Sequence, residues 1–423
     1  MKANIRFDHQ LLAVESEHHV HAMLELVAPA APKKDQRPPL QLALVIDRSG
    51  SMGGPKLAYA CQAASFLVER MVPSDELALI TYDDEVQLLR SMAPVDKTAV
   101  VNALHHIYPG GTTNLSGGWL KGIEELRRSR SDQLRKVLLL TDGLANHGIT
   151  DHDTLVDMAR TTAEDGVGTT TIGFGEGFDE ELLTDMADAG QGNSYYVASP
   201  EDAPGVFAQE FEDLSTLVAQ NVSVEIRPSE EVKLLGVLNE YPATSVQGGL
   251  QLNLGDAYGE DLRRIVFELH IPQLARLGLA KVADVVVRYV TVGDEVAAKE
   301  ITIPVNINMV NADEASSADP DQQVIEEVMI LKAARAQKEA RGRADTGDFG
   351  GAQELLRKAA QELRAAAPNS ARAQELLQDA DLMEGSADMA APDQWTSHHS
   401  KNLHFNQRMR HQGRQRRPKR DEN

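Results

Sequence analysis

Runs rich in apolar and β-branched residues alternate with amphipathic stretches over the first half of the chain. The runs at residues 41–46, 76–82, 137–140 and 167–174 have the length and composition of strands that are buried on both faces. Between them, apolar residues recur every three or four positions, as at 57–71, and this spacing predicts helices. Strands that alternate with helices predict a doubly wound, mostly parallel sheet, which is an α/β, Rossmann-like fold.

The pattern changes after residue 220. Short apolar stretches separated by turn residues follow one another between residues 222 and 308, which is typical of an antiparallel β-sandwich. We expect strands before residue 32 to complete this sandwich, so that the α/β domain would be inserted into it. From residue 316 the helical spacing returns and predicts a small helical region.

A chain of 423 residues is longer than most single domains, and its patterning predicts five segments. They are N-terminal strands at 1–32, an α/β domain at 38–218, a β-sandwich at 220–311, a helical hairpin or bundle at 318–385 and a basic tail at 386–423. The arginine-rich tail should be disordered when alone. It could bind an anionic lipid, nucleic acid or an acidic partner, or fold back on the acidic surface of this protein. It could also act only as a solubilising segment.

Polar side chains follow directly after the apolar run at 41–46. Asp47, Ser49 and Ser51 are alternate residues, so a loop that continues the strand direction can project all three toward one point. Open α/β sheets bind ligands at such carboxyl strand ends. A carboxylate and two hydroxyls are hard ligands that suit Mg²⁺ or Mn²⁺ better than Zn²⁺. From these three residues alone, a helix N-cap is an equally good interpretation.

Two later stretches favour the metal site. A Gly-Gly-Thr-Thr-Asn loop stands at residues 110–114, and the apolar run at 137–140 is followed by Thr141-Asp142-Gly143. In this order and at this spacing, the three motifs together resemble the von Willebrand factor type A (VWA) domain. The resemblance covers roughly residues 38 to 215. It is specific, because it depends on three separate motifs.

The resemblance implies a metal-ion-dependent adhesion site with these oxygen ligands: Asp47, Ser49, Ser51, Thr113 and Asp142. The serines would bind the cation directly, and the carboxylates directly or through water. Thr113 matches the threonine of the family because it directly precedes Asn114, and Thr112 is the alternative. No member of the set is missing, so an intact site is expected. In the family, the sixth position stays open for a carboxylate of a partner protein.

The function that these residues favour is a non-enzymatic, cation-dependent contact with a protein that presents an Asp or Glu. A metal-dependent phosphohydrolase is disfavoured. Ser49 stands where such an enzyme needs a second carboxylate, and the sequence suggests no lysine beside Asp142. A scaffold that binds through its helical region and basic tail is a further alternative. The resemblance also implies partners such as AAA+ ATPases or components of signalling complexes.

Charge and cysteine content narrow the partners and the compartment. With 42 basic and 64 acidic residues, the formal net charge is −22, which disfavours general nucleic-acid binding. Cys61 is the single cysteine, so no intrachain disulfide can form and a cytoplasmic location is expected. The first residues lack the apolar core of a secretory signal, and no apolar run approaches the length of a transmembrane segment. His18, His19 and His21 have no fourth ligand nearby in the sequence and are predicted to be structural.

Overall fold

The structure of the protein is a computed structural model that describes residues 1–31, 37–128, 134–292 and 296–415. The described chain divides into two compact units. The α/β unit contains the described residues of 31–218 together with residues 292 and 296. The two-sheet unit contains the rest of the described chain.

The strands in chain order are β1 (Lys2–Phe7), β2 (Leu11–Ala13), β3 (His18–Val27), β4 (Leu40–Asp47), β5 (Glu76–Tyr82), β6 (Val86–Pro94), β7 (Leu134–Thr141), β8 (Val167–Phe174), β9 (Ser194–Val197), β10 (Leu217–Pro228), β11 (Lys233–Val237), β12 (Ala243–Val246), β13 (Gly249–Tyr258), β14 (Leu262–Ile271), β15 (Gly278–Thr291), β16 (Ala298–Val310) and β17 (Arg414–Gln415). The helices are α1 (Pro55–Arg70), α2 (Lys97–Leu104), α3 (Leu115–Arg128), α4 (His152–Glu164), α5 (Glu180–Ala189), α6 (Ala203–Ser215), α7 (Ala312–Ser317), α8 (Gln322–Asp345), α9 (Phe349–Ala366), α10 (Ala373–Met389) and α11 (Ser397–His411).

The sheet of the α/β unit has the strand order β6-β5-β4-β7-β8-β9. Strand β6 runs antiparallel to β5, and the other neighbours are parallel. Every residue of the central strand β4 is buried, which explains why its sequence is apolar without alternation. The predicted doubly wound fold is confirmed.

Two glycines allow helix α3 to approach this sheet closely. A Cβ atom on Gly118 would lie 2.4 Å from Cδ1 of Tyr82, and one on Gly122 would lie 2.8 Å from Cγ2 of Val45. Real Cβ atoms do not come so near to other atoms, so larger residues would push the helix outward. The close approach brings the start of α3, and the loop before it, to the carboxyl end of β4.

The two sheets of this unit join N-terminal strands to strands from residue 217 onward. One sheet has the order β1-β3-β14-β11, with β17 paired to β14, and the other has the order β12-β13-β10-β15-β16-β2. Strand β3 is antiparallel to β14 from His18 opposite Ile271 to Val27 opposite Leu262. Strand β2 is parallel to β16, so this sheet is not purely antiparallel. The domain boundaries and the face-to-face packing of a sandwich stay predictions.

The predicted C-terminal helical region is confirmed. Helices α8, α9 and α10 share a buried apolar cluster that includes Ile330, Leu356, Leu363, Leu376 and Met383. The turn between α8 and α9 has Gly347 at a φ of 89°. Glycine adopts such a conformation without strain. No helix of the described residues is both long and apolar enough to cross a membrane.

The prediction of a disordered tail is wrong for residues 397–411, which form helix α11. Thr396 caps this helix by accepting a hydrogen bond from the backbone N of His399. Arg410 lies 2.6 Å from carboxylate oxygens of both Glu375 and Asp379 on α10. The pairing agrees with the alternative that the basic run folds back on acidic surface of this protein, and it supplies partners that the composition of the tail alone does not place. Residues 416–423 of the predicted tail lie outside the described residues.

Candidate metal centre

The candidate site lies where the neighbouring parallel strands β4 and β7 end. Ile46 pairs with Leu140 in the ladder, so the polar residues that follow the two strands emerge side by side. The loop at residues 110–114, here called the glycine-threonine loop, is hydrogen-bonded to the residues that follow β4. Gly110 N donates to Arg48 O at 2.7 Å, and Gly50 N donates to Gly111 O at 3.0 Å. Three loops that are distant in sequence therefore meet at one strand end.

Hydrogen bonds connect four of the five predicted ligands. Asp47 accepts from the backbone N of Ser49 at 2.7 Å and from the hydroxyl of Thr141 at 2.6 Å. The hydroxyl oxygens of Ser49 and Ser51 are 3.1 Å apart. Ser51 Oγ donates to Asp142 Oδ1 at 2.6 Å. The two carboxylates and the two serine hydroxyls thus form one connected cluster of oxygen atoms.

Thr113 is the fifth predicted ligand, and its hydroxyl faces the same point. A Cβ atom on Gly143 would lie 3.3 Å from Thr113 Oγ1 and 3.5 Å from Ser51 Oγ, so both hydroxyls border the same small space. Thr113 is buried, and its backbone N donates to Asn146 Oδ1 at 2.9 Å. Thr112 is exposed.

Burial places an electrostatic cost on this cluster. It raises the pKa of Asp47 to about 6, although hydrogen bonds from Thr141 and Ser49 act in the opposite direction. The negative charge of Asp142 raises the pKa further. A divalent cation would offset both charges.

The donor set fits such a cation. Carboxylate and hydroxyl oxygens are ligands that Mg²⁺ and Mn²⁺ accept. Ser51 is exposed, so the cluster can be reached from solvent. Within the described residues, no three His, Cys, Asp or Glu side chains are grouped so that they could hold a metal by themselves. The candidate site therefore depends on its hydroxyls.

Comparison with known proteins identifies the domain that carries this cluster. Residues 41–209 match the model of the von Willebrand factor type A domain. This stretch is a VWA domain. VWA domains are in general metal-dependent protein-interaction modules and commonly bind a divalent cation.

Relatives extend the similarity beyond the VWA domain. The uncharacterized protein sll0103 of Synechocystis sp. is 27% identical over 349 residues, which are 79% of this chain and 81% of that protein. Inter-alpha-trypsin inhibitor heavy chain H1 of Bos taurus is 26% identical over 212 residues, 48% of this chain but only 23% of the bovine protein. The solved structure of a von Willebrand factor type A protein from Catenulispora acidiphila has a TM-score of 0.71 at 15% identity. It covers 98% of this chain and 97% of its own, so the likeness in fold spans both units.

The VWA domain also has a lysine beside Asp142, contrary to the sequence-based argument. Lys56 Nζ lies 2.5 Å from Asp142 Oδ2 and 3.4 Å from the backbone O of Ser51. Pro55 begins helix α1 only four residues after Ser51, and this short connection turns the first helical side chains back toward the strand end. The Gly53-Gly54-Pro55 turn is the signal in the sequence that could have revealed this contact.

Two large exposed side chains lie close in sequence to the residues of the site. Tyr108 is 66% exposed and lies two residues before Gly110, and Leu144 is 56% exposed and lies two residues after Asp142. The backbone N of His147 donates to Thr113 O at 3.2 Å, which fixes the second of these loops against the first. The segments next to the site therefore carry exposed apolar as well as polar side chains.

Proposed function

We propose that this VWA domain is a non-enzymatic module that binds a partner protein through Mg²⁺ or Mn²⁺. The convergence of three hydroxyls between two carboxylates carries the proposal. A carboxylate oxygen of an Asp or Glu of the partner would fill the coordination position that the domain leaves open on the cation. The positive charge of the cation supplies the attraction, and the exposure of Ser51 leaves a path to it.

We assign direct ligation to the hydroxyls of Ser49, Ser51 and Thr113. Ser51 donates its hydrogen to Asp142, so its lone pairs stay available for a cation. Asp47 holds Ser49 through the backbone N and is itself oriented by the Thr141 hydroxyl. The role of the carboxylates is to orient these donors and to balance charge, directly or through water.

The phosphohydrolase alternative is not favoured. Lys56 beside Asp142 removes one of the two arguments against it. Ser49 still occupies the position where an aspartyl-phosphate enzyme needs a carboxylate. The alternative of a scaffold that binds through its tail is weakened, since Arg410 is paired with acidic residues of α10.

The identity of the partner is proposed only by class. The resemblance to other VWA proteins suggests an AAA+ ATPase or a component of a signalling complex. Cys61 is a buried free thiol, which is consistent with our proposal of a cytoplasmic protein.

Affinity capture tests the proposal. The wild-type protein and the Ser49→Ala/Ser51→Ala variant are used as baits in source lysate, each with Mg²⁺ and with chelator. Ser65→Ala is the matched control, because its hydroxyl bonds to Cys61 O within helix α1. We expect a partner that is retained by the wild type and by Ser65→Ala in Mg²⁺ and is lost both with chelator and with the double variant.

The same design can contradict the proposal. Circular dichroism must first show that the double variant is folded. If the retained proteins are the same with Mg²⁺, with chelator and with the double variant, then the cation site is not the contact. Attention would then move to the helical region.

A further inference from the structure

Two basic residues lie within or just after the loop of residues 47–51, here called the DxSxS loop, and they have different partners. Arg48 lies 2.9 Å from Asp83, which is not one of the proposed ligands. Lys56 lies 2.5 Å from Asp142, which is one of them. The charge of Arg48 is therefore balanced by a neighbouring carboxylate, whereas Lys56 takes part in the charge balance of the centre itself.

The position of Lys56 is well defined. Its ammonium contacts a carboxylate oxygen on one side and the backbone O of Ser51 on the other. A Cβ atom on Gly175 would lie 3.3 Å from Cε of Lys56, so the side chain passes close to the loop after β8. The side chain is 32% exposed, which leaves it near the surface that a partner would contact.

Both oxygens of Asp142 have a donor within the domain. Oδ1 accepts from the hydroxyl of Ser51, and Oδ2 accepts from Lys56. Two carboxylates alone, those of Asp47 and Asp142, would cancel the two positive charges of a dication. A neutral centre attracts an anionic side chain only weakly.

We infer that Lys56 sets the charge of the centre by neutralising Asp142, so that the occupied centre keeps a net positive charge for the carboxylate of the partner. This inference rests on the proposed function. Lys56 is a positioning residue in this scheme, since it acts through Asp142. Its charge weakens binding of the cation and strengthens binding of the carboxylate.

The charge of Lys56 should have opposite effects on binding of a cation and of a carboxylate, and Mn²⁺ and acetate serve as the two probes. Free Mn²⁺ is quantified by electron paramagnetic resonance during titration of the full chain, once in chloride and once in acetate at equal ionic strength. The variants are Lys56→Met, which keeps the aliphatic stem, and Lys56→Arg, which keeps the charge. Lys97→Met is the control for net charge, because Lys97 bonds only to the backbone O of Glu69 among the contacts described for it.

We expect Lys56→Met to bind Mn²⁺ in chloride roughly tenfold more tightly than the wild type. This change lies between the repulsion that a nearby positive charge exerts on a cation in bulk water and the repulsion that it exerts in a protein interior. Acetate should strengthen Mn²⁺ binding to the wild type and to Lys56→Arg. That gain should be lost in Lys56→Met. Lys97→Met should behave as the wild type.

The failure of this inference is distinguishable from the failure of the proposed function. If the wild type binds Mn²⁺ but Lys56→Met binds it with equal or lower affinity, while its thermal unfolding in chelator is unchanged, the role of Lys56 is refuted and the metal site stands. If Lys56→Arg behaves as Lys56→Met, charge is not the cause and the inference is also refuted. If the wild type binds no Mn²⁺, both are refuted.

Discussion

Asp47 is the residue at which fold stability and cation binding oppose each other. Its carboxylate is buried, and the pKa in the folded state, about 6, lies above the ordinary value of 3.8. A proton on Asp47 therefore stabilises the fold. This contribution is fully present below pH 3.8 and is lost as the pH rises through about 6. At neutral pH without a cation, the charged form costs the fold on the order of 3 kcal/mol.

Replacing Asp47 by Asn should accordingly have effects of opposite sign in chelator and in Mg²⁺. The neutral amide avoids the buried charge, so in chelator at pH 7 the variant should be more stable than the wild type by up to about 3 kcal/mol. The advantage should disappear below about pH 4. In Mg²⁺ the wild type should be stabilised and the variant should not. Thermal unfolding across pH, with and without Mg²⁺, measures both effects.

A helix-capping aspartate supplies the control for this comparison. Asp96 is exposed and caps helix α2 by accepting from Ala99 N, so Asp96→Asn should show no such dependence on Mg²⁺. Equal destabilisation of Asp47→Asn in chelator and in Mg²⁺ would contradict the interpretation of Asp47 as a charge held for a cation.

The sequence located the candidate ligands but missed their charged neighbour. Asp47, Ser49 and Asp142 follow apolar runs directly, and this position at a strand end can be recognised without a structure. The contact of Lys56 with Asp142 depends on the direction in which α1 leaves the loop, which apolar spacing does not define. Thr112 and Thr113 are adjacent in the sequence. The turn of the loop buries Thr113 and exposes Thr112, and the sequence alone does not show this.

The packing of helix α3 sets the position of the glycine-threonine loop at residues 110–114. The glycines at 118 and 122 face the sheet, and the space beside Gly118 is taken by the ring of Tyr82. Gly118→Ala should therefore destabilise the domain by roughly 2 kcal/mol, the usual cost of an overpacked core position. It should also lower Mg²⁺ affinity, since the loop before α3 would move with the helix.

Gly205 in helix α6 is the matched control, because no atom beyond its chain neighbours and the backbone of its own helix lies within 4 Å of a Cβ placed there. Gly205→Ala should be neutral or should stabilise the domain by up to about 1 kcal/mol through helix propensity. Urea unfolding of the two variants compares the costs. Equal stability of Gly118→Ala and the wild type would show that α3 can move away from the sheet without cost.

Helices and strands were predicted correctly where the local sequence pattern determines them. They were predicted poorly where contacts with distant residues determine them. Strand β4 is buried on both faces, so its sequence alone identifies it. Helix α11 was wrongly predicted as disordered, because the acidic partners of Arg410 lie on another helix. The parallel pairing of β2 with β16 joins segments almost three hundred residues apart, and no local signal indicates it.

The whole chain brings together segments from both of its ends. Strands β1 and β3 share a sheet with β14, and the VWA domain lies between β3 and β14 in the sequence. We propose on this basis that the VWA domain is an insertion in a β-sandwich domain. The structure of the protein from Catenulispora acidiphila is similar in fold over 98% of this chain.

A crystal of the full chain grown with Mn²⁺ and measured at an anomalous wavelength is the most direct test of the proposed cation site. We predict one strong anomalous peak within about 2.3 Å of the hydroxyl oxygens of Ser49, Ser51 and Thr113, a distance typical of hard cations and oxygen ligands. Thr112 should not contact it. A well-ordered DxSxS loop without a peak at saturating Mn²⁺, or a peak bound only by other residues, would contradict the proposal.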